Sequence, residues 1–364
     1  MLHIFHSNRL ETLASQFSHV VTNAGLDPFK SEQVIVQNAG MGRWLSLQLA
    51  EQSGIAANMK YLFPAEITWE LLRAVLDDAP GKDVPKRDPC SPKLLRWRLL
   101  AELSEATDKY QNDLGHYLSE DNDDMAWQLA KQLATVFDGY LFFRPDWILR
   151  WEKEPASDWQ EQLWKNVVAD QQLEHWICLQ YRFIHHLEHA DPDKLPSRIS
   201  FFSVPALSPA YLELIAKVAE KIDVYFYVMN PSWQYWGDIE SNKQKIKREL
   251  DAQEYVTVGN PLLASWGTQG RDFIENLRNL DPYPSESDNF TDPEPSSMLE
   301  QIHADILNLE GEDAFGEMPL APEDNSISIQ SCHSPMREVE VLYDQILAAL
   351  EQNKHMTPAD IVVM

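Results

Sequence analysis

The amino-acid sequence predicts an α/β fold: a parallel sheet interrupted by a long helical insertion. Three observations carry this expectation. Short β-branched or aromatic runs alternate with apolar-periodic helices near the start, the same alternation returns after residue 196, and the stretch 93–188 carries helical periodicity almost throughout. Strands that alternate with helices cannot pair through tight hairpins, so their connections cross over and the sheet is parallel.

Taken in order, Leu2 to His6 reads as a short strand. Ser7 or Asn8 can cap the following helix, which runs through Leu13 and Phe17 to about Ala24. Val34 to Gln37 is a second strand, and a glycine turn leads into a helix with Leu45, Leu47 and Leu49 that ends near Ser53-Gly54. Pro64 and its aromatic neighbours precede a helix from Trp69 to Leu76. Residues 77–92, rich in Pro, Asp and Gly, read as a linker or long loop. Leu and Trp then recur at three- and four-residue spacing from Lys93 to about Glu188. Arg198 to Val204 is a strand, Pro209 to Lys221 a helix, and Ile222 to Met229 a buried strand.

Residues 281–325 differ in texture. They are dense in Pro, Asp, Glu and Ser, and no Lys or Arg occurs between Arg278 and Arg337. They read as a solvated connection broken by one helix around Met298 to Leu309. Ser326 to Ser331, an amphipathic helix from Arg337 to Glu351, and Pro358 to Met364 read as strand, helix and strand, the opening of another α/β domain. A chain that stops on an unprotected apolar strand is expected of a fragment. The expected units are therefore 1–76 and 196–280 as one α/β domain, 77–195 as its helical insertion, 281–325 as an acidic connection and 326–364 as the start of a further domain.

Composition narrows the function. A chain of 364 residues is longer than one typical domain, and 44% hydrophobic content is ample for sizeable cores. No apolar run approaches a membrane span, and His3, His6 and Asn8 spoil a signal-peptide reading of the start. Cys90, Cys178 and Cys332 give neither a disulfide framework nor metal-ligand spacing, which points to a reducing, cytoplasmic setting. The formal net charge of −27 argues against wrapping nucleic acid on an open face, because phosphate contacts supply most non-specific affinity. Any DNA contact is expected in a local channel, with partner subunits contributing positive charge.

The most informative segment runs from Val34 to Leu45. It has the strand–turn–helix outline in which backbone N–H groups and a helix N-terminus hold phosphates. A working loop also needs a Lys for the β/γ-phosphates and a Ser or Thr hydroxyl for Mg²⁺. Gly40 and Gly42 are in place, but Arg43 and Trp44 stand where that Lys and hydroxyl belong, and an indole cannot ligate a hard cation. A nucleoside-triphosphatase would also carry an acidic pair at the end of the next core strand. That strand instead runs into Pro205-Ala-Leu-Ser-Pro209. Two metal functions are missing together, so a degenerate nucleotide loop (Gly40, Gly42, Arg43, Trp44) is the better reading, with an ordinary βα turn as the alternative.

Other candidates are weaker. His185, His186 and His189 share a helix but lack a matching carboxylate or Cys pair, so they read as surface histidines. Asp121-Asn-Asp-Asp124 lacks the later glycine and glutamate of a calcium loop. No nucleophile elbow, zincin or paired-cysteine pattern occurs. Residues at element ends are more suggestive: Gln37 and Arg43 flank the degenerate loop, Phe63 and Trp69 bracket Pro64, and Asp138 and Arg144 lie within Phe137 to Trp147. Aromatic faces stack bases, while Gln, Asp and Arg read base edges.

These residues carry a family resemblance. His6-Ser-Asn-Arg-Leu10, Gly54-Ile-Ala-Ala-Asn58, Phe137 to Trp147, Tyr235-Trp-Gly-Asp-Ile239, Gly259 to Gly267 with Gly270-Arg-Asp272, and Cys332-His-Ser-Pro335 with Arg337 to Val341 resemble, in this order, the RecC family. Its members are gamma subunits of exodeoxyribonuclease V, the RecBCD helicase–nuclease. The resemblance implies a superfamily 1 helicase scaffold with decayed ATP sites: a 1A-like domain, a helical 1B-like insertion, and the start of a 2A-like domain from about residue 326. Active helicases of that superfamily carry Ala-Gly-x-Gly-Lys-Thr at this loop, against Ala39-Gly-Met-Gly-Arg-Trp44 here.

It implies, further, a non-catalytic subunit that binds no cofactor itself. ATP and Mg²⁺ would serve a RecB-like beta subunit and a RecD-like alpha subunit in a heterotrimer. Family members split duplex ends, thread single strands to those partners, and scan the 3′-ended strand for the regulatory Chi sequence. The family's Chi-reading wall matches at Gln37, Trp69, Asp138 and Arg144. It departs at Ala39 and Arg43 (Thr and Gln in the family), at Phe63 (Leu), and at Thr135 and Val136 (Asp and Leu). Arg favours guanine acceptors and Gln favours adenine, so a different octamer or weaker discrimination is expected.

Overall fold

The computed structural model describes residues 1–23, 29–77, 83–105, 114, 123–169, 173–239, 259–293, 295–311, 321 and 323–364. Its centre is a six-stranded sheet in the order β3-β2-β4-β5-β1-β6, every neighbouring pair parallel. The strands are β1 (Leu2–Ser7), β2 (Glu32–Ile35), β3 (Met59–Leu62), β4 (Arg198–Phe202), β5 (Asp223–Met229) and β6 (Ser285–Asp288). All five residues of β4 are buried, as a central strand covered on both faces requires.

One face carries α1 (Leu10–Asn23) and α2 (Ala39–Ser53), whose Leu13, Phe17, Leu45 and Leu49 pack on Val34, Val36, Phe202 and Tyr227. The α2 helix stops at Gly54, whose φ of 79° is a left-handed conformation that glycine adopts without a side-chain penalty. The other face meets α3 (Pro64–Leu76) and the helical stretch: α4 (Pro92–Glu105), α5 (Asp123–Phe143), α6 (Pro145–Lys153), α7 (Trp159–Trp164) and α8 (Trp176–Leu187). After β4 comes α9 (Pro209–Ala219), and after β5 come α10 (Pro261–Trp266), α11 (Thr268–Arg278), α12 (Met298–Leu307) and α13 (Pro335–Gln352).

Ile4, Ile35, Ile199 and Phe201 of the sheet belong to the same continuous core as Phe137, Trp164, Trp176 and Phe183 of the helical stretch. The helices that the sequence sets apart as an insertion therefore share their apolar interior with the sheet. Across β2 and β4, Arg198 makes two hydrogen bonds of 2.6 Å to the Glu32 carboxylate and donates also to the Val20 carbonyl at the end of α1. Both side chains are buried. The forked geometry satisfies their charges, and removing one partner would leave the other buried and unpaired.

The structure corrects several boundaries. The second strand lies two residues earlier than Val34–Gln37, at Glu32–Ile35. Two strands were invisible in the sequence pattern. Met59–Leu62 (β3) is followed at once by helix, and Ser285–Asp288 (β6) is wholly polar and exposed. The latter sits inside the expected acidic connection yet pairs with His3–His6 of β1. Backbone pairing and the bonds between Asn8 and Thr291 hold this edge, and its charges discourage further strand addition. Conversely, Ser326–Ser331 and Ile361–Met364 form no strand, because no neighbour pairs with them among the described residues. Part of the 77–92 linker and Asp121 lie outside the described residues.

Candidate nucleic-acid interface

Ligands of parallel α/β sheets sit beyond the C-terminal strand ends where the direction of the connections reverses. Here β2 connects outward to β3 on one side and β4 to β5 on the other, so that place lies between the ends of β2 and β4.

The exit of β2 departs from the sequence expectation. Only Val36, Gln37 and Asn38 separate β2 from α2, which already starts at Ala39. The expected glycine turn is therefore the first turn of a helix. Gly40 and Gly42 do not form an open cradle, and the Asn38 carboxamide oxygen accepts the Met41 N–H at 2.9 Å, occupying a donor that a phosphate would need. Gly42 has a packing role: a β-carbon there would stand 2.8 Å from Cγ of Tyr61 on β3. Trp44 is half-buried with its ring 6.2 Å from that of Phe202, so its indole belongs to the core beneath α2. Arg43 is exposed and makes no ion pair among the described residues.

At the exit of β4 the chain turns sharply. Ser203 adopts a left-handed φ of 50° and its N–H is held by the Tyr227 carbonyl at 2.9 Å. A cleft of about 220 Å³ opens beside it, lined among the described residues by Val204, Pro205, Met229, Trp266, Gln269 and Phe273, without a carboxylate or a basic side chain.

Gln37 and Phe63 both follow the C-terminal ends of neighbouring strands. Ile35 is in register with Leu62, and the Val36 N–H donates to the Leu62 carbonyl at 3.0 Å, so Gln37 and Phe63 project from the same sheet edge. Phe63 is 43% exposed, and its backbone N–H is fixed by Glu66 at 2.9 Å. Trp69 follows on α3, half-buried against the main core.

Asp138 and Arg144 lie apart from this pair, on α5 and at its junction with α6; no hydrogen bond or ion pair links the two groups among the described residues. Arg144 is exposed, with its guanidinium 5.7 Å from the centre of the Trp147 ring. Asp138 is half-buried, and desolvation together with the nearby Asp88 charge pushes its carboxyl up to about 6. His185 and His189 are exposed and His186 bonds to the Arg182 carbonyl, in keeping with surface roles.

One cluster escaped the sequence reading. Glu152 in the last turn of α6, His175 just before α8 and Cys178 in the first turn of α8 converge in the helical region. His175 Nε2 lies 2.9 Å from Glu152 Oε1 and 3.5 Å from Cys178 Sγ. Burial disfavours the charged imidazole, but the bonds and charges of Cys178 and Glu152 outweigh it and carry the His175 pKa up to about 9. Desolvation likewise opposes the Glu152 charge, yet His175 and Trp164 hold its carboxyl below the usual range. The sequence signal was His175-x-x-Cys178, one helical turn apart. Without the fold, nothing brings Glu152 to it.

The chain matches the family described as RecC, N-terminal domain, over residues 2–309. It is 36% identical to the RecBCD enzyme subunit RecC of Escherichia coli, 31% to that of Haemophilus influenzae and 29% to that of Mycolicibacterium smegmatis. Each match covers 100% of this chain but only 37%, 38% and 33% of the relative, so the chain spans about a third of their length. No helix among the described residues is long and apolar enough to cross a membrane. With a parallel sheet, a shared helical core and this similarity along its whole length, the chain belongs to the RecC family, matching its N-terminal domain.

Proposed function

We propose that this protein is a non-catalytic, DNA-handling subunit of an ATP-dependent exodeoxyribonuclease V complex in double-strand break repair by recombination. Residues 1–76 and 196–280 serve as a 1A-like helicase domain, 77–195 as the 1B-like insertion, and 326–364 open a 2A-like domain. A RecB-like beta subunit and a RecD-like alpha subunit supply ATP turnover, Mg²⁺ and bond cleavage. This chain splits duplex ends, passes single strands to those partners and reads Chi in the 3′-ended strand.

The carrying observation is the exit of β2, where the place of a phosphate cradle is filled by helix and capped by Asn38. What remains there suits a passing strand better than a nucleotide. Phe63 and Trp69 offer ring faces on which a base stacks for roughly 1–3 kcal/mol. Gln37, Arg43, Asp138 and Arg144 offer base-edge and phosphate contacts. The net charge of −27 favours a second reading, a scaffold for the partner helicases with little sequence reading.

The assembled complex on forked DNA with photoreactive bases distinguishes them. Cross-links from the 3′-ended strand to Phe63, Trp69 and Arg144 are expected, and Trp69→Ala or Phe63→Ala should weaken the Chi response while ATP turnover stays unchanged. An equal fall in turnover would mean a structural role for these rings. Absence of cross-links would leave the scaffold.

A further inference from the structure

The helical region holds a cluster that the strand ends do not use. We propose that Glu152, His175 and Cys178 form a binding site for a zinc-class divalent metal ion, tying α6 to α8.

Three observations support it. First, one ligand atom from each residue lies within 4.8 Å of the other two, and His175 Nε2 faces both partners. Zinc bonds of about 2.0–2.3 Å to N, O and S leave ligand atoms roughly 3.3–3.8 Å apart, so the cluster needs only small side-chain adjustments. Second, thiolate, imidazole and carboxylate are zinc's donor types, whereas calcium and magnesium favour oxygen alone. Third, the surroundings are built. His175 is 1% exposed, and its Nδ1 is buried without a partner among the described residues, so Nε2 is the nitrogen committed to the cluster. Trp164 Nε1 donates to Glu152 Oε1 at 3.1 Å and orients the carboxylate, as outer partners of metal ligands do.

The bound state is electrically neutral: a carboxylate, a neutral imidazole, a thiolate and a doubly charged ion sum to zero, so no net charge is buried, and any proton on Nε2 or Sγ leaves to solvent as the metal binds. Cys178 is only half-buried, which leaves a water access to the fourth coordination position.

The test compares wild type, Cys178→Ser and Cys332→Ser, each purified with the subunits it assembles with and dialysed after exposure to zinc. Wild type and Cys332→Ser should hold about one more zinc per chain than Cys178→Ser, by mass spectrometry of the metal. Cobalt(II) should give a near-ultraviolet sulfur-to-metal charge-transfer band in the first two proteins and not in the third. Equal zinc contents and no such band would make the cluster a plain ion pair and overturn the proposal. If Cys178→Ser misfolds by circular dichroism, the decision passes to wild type against Glu152→Gln, where the same difference in zinc content and cobalt spectrum supports the site and its absence overturns it.

Discussion

Gly42 of α2 lies against the ring of Tyr61 on β3 so closely that a β-carbon would meet Cγ at 2.8 Å. The ring cannot easily retreat, because the Tyr61 hydroxyl is bonded to Ser46 of the same helix at 2.7 Å. A glycine that looks like part of a phosphate loop is thus a contact between helix and sheet.

Gly42→Ala is therefore expected to destabilise the fold by about 1–3 kcal/mol through overpacking, despite alanine's better helix propensity. Pairing it with Tyr61→Ala, which removes Cγ and the ring, should make the cost of Gly42→Ala smaller than it is beside the tyrosine. Denaturant melts of the single and double variants measure the coupling. Additive effects would show that the close approach carries no strain.

Restoring the two missing side chains should not restore a nucleotide site. Arg43→Lys with Trp44→Thr supplies the amine and the hydroxyl, but Ala39 to Gly42 remain helical and Asn38 still caps Met41. Calorimetric titration with Mg-ATP is expected to give no binding for this double variant. Micromolar binding would mean that side chains alone had disabled the loop.

The Asp138 carboxyl titrates near 6, against an ordinary value of 3.8. The folded state therefore favours its neutral form. That contribution is fully present below the ordinary value and is lost as the pH rises through about 6. Above it, the ionised group costs stability in its half-buried site beside Asp88. Asp138→Asn should exceed wild type in stability by about 1 kcal/mol at neutral pH, after allowance for solvent screening, and the gap should close on acidification to about pH 4. Melting curves across this range measure it. A gap independent of pH would refute the assignment.

Much of the scaffold was legible because its elements satisfy their own hydrophobic periodicity. Leu13 and Phe17, or Leu212 and Ile215, announce helices with one buried face, and Val224 to Val228 announces a strand covered on both sides. β6 was not legible because Ser285-Glu-Ser-Asp288 has no apolar pattern; only the free edge of β1 makes it a strand. The segments 326–331 and 361–364 fail for the opposite reason, having strand-like residues that meet no sheet edge among the described residues. The candidate interface divides similarly. That Arg43 and Trp44 stand after the two glycines could be read directly, but that the glycines already lie inside α2 could not.

The sequence by itself determined the α/β class, the long helical stretch and the replacement of Lys and hydroxyl by Arg43 and Trp44, since these depend on residue identity and local spacing. Tertiary structure alone decided that Gly42 packs on Tyr61, that Gln37 and Phe63 leave the same end of the sheet, and that Glu152 reaches His175 and Cys178 from another helix. Such juxtapositions depend on strand register and helix packing between residues distant in the chain, which local patterning does not encode.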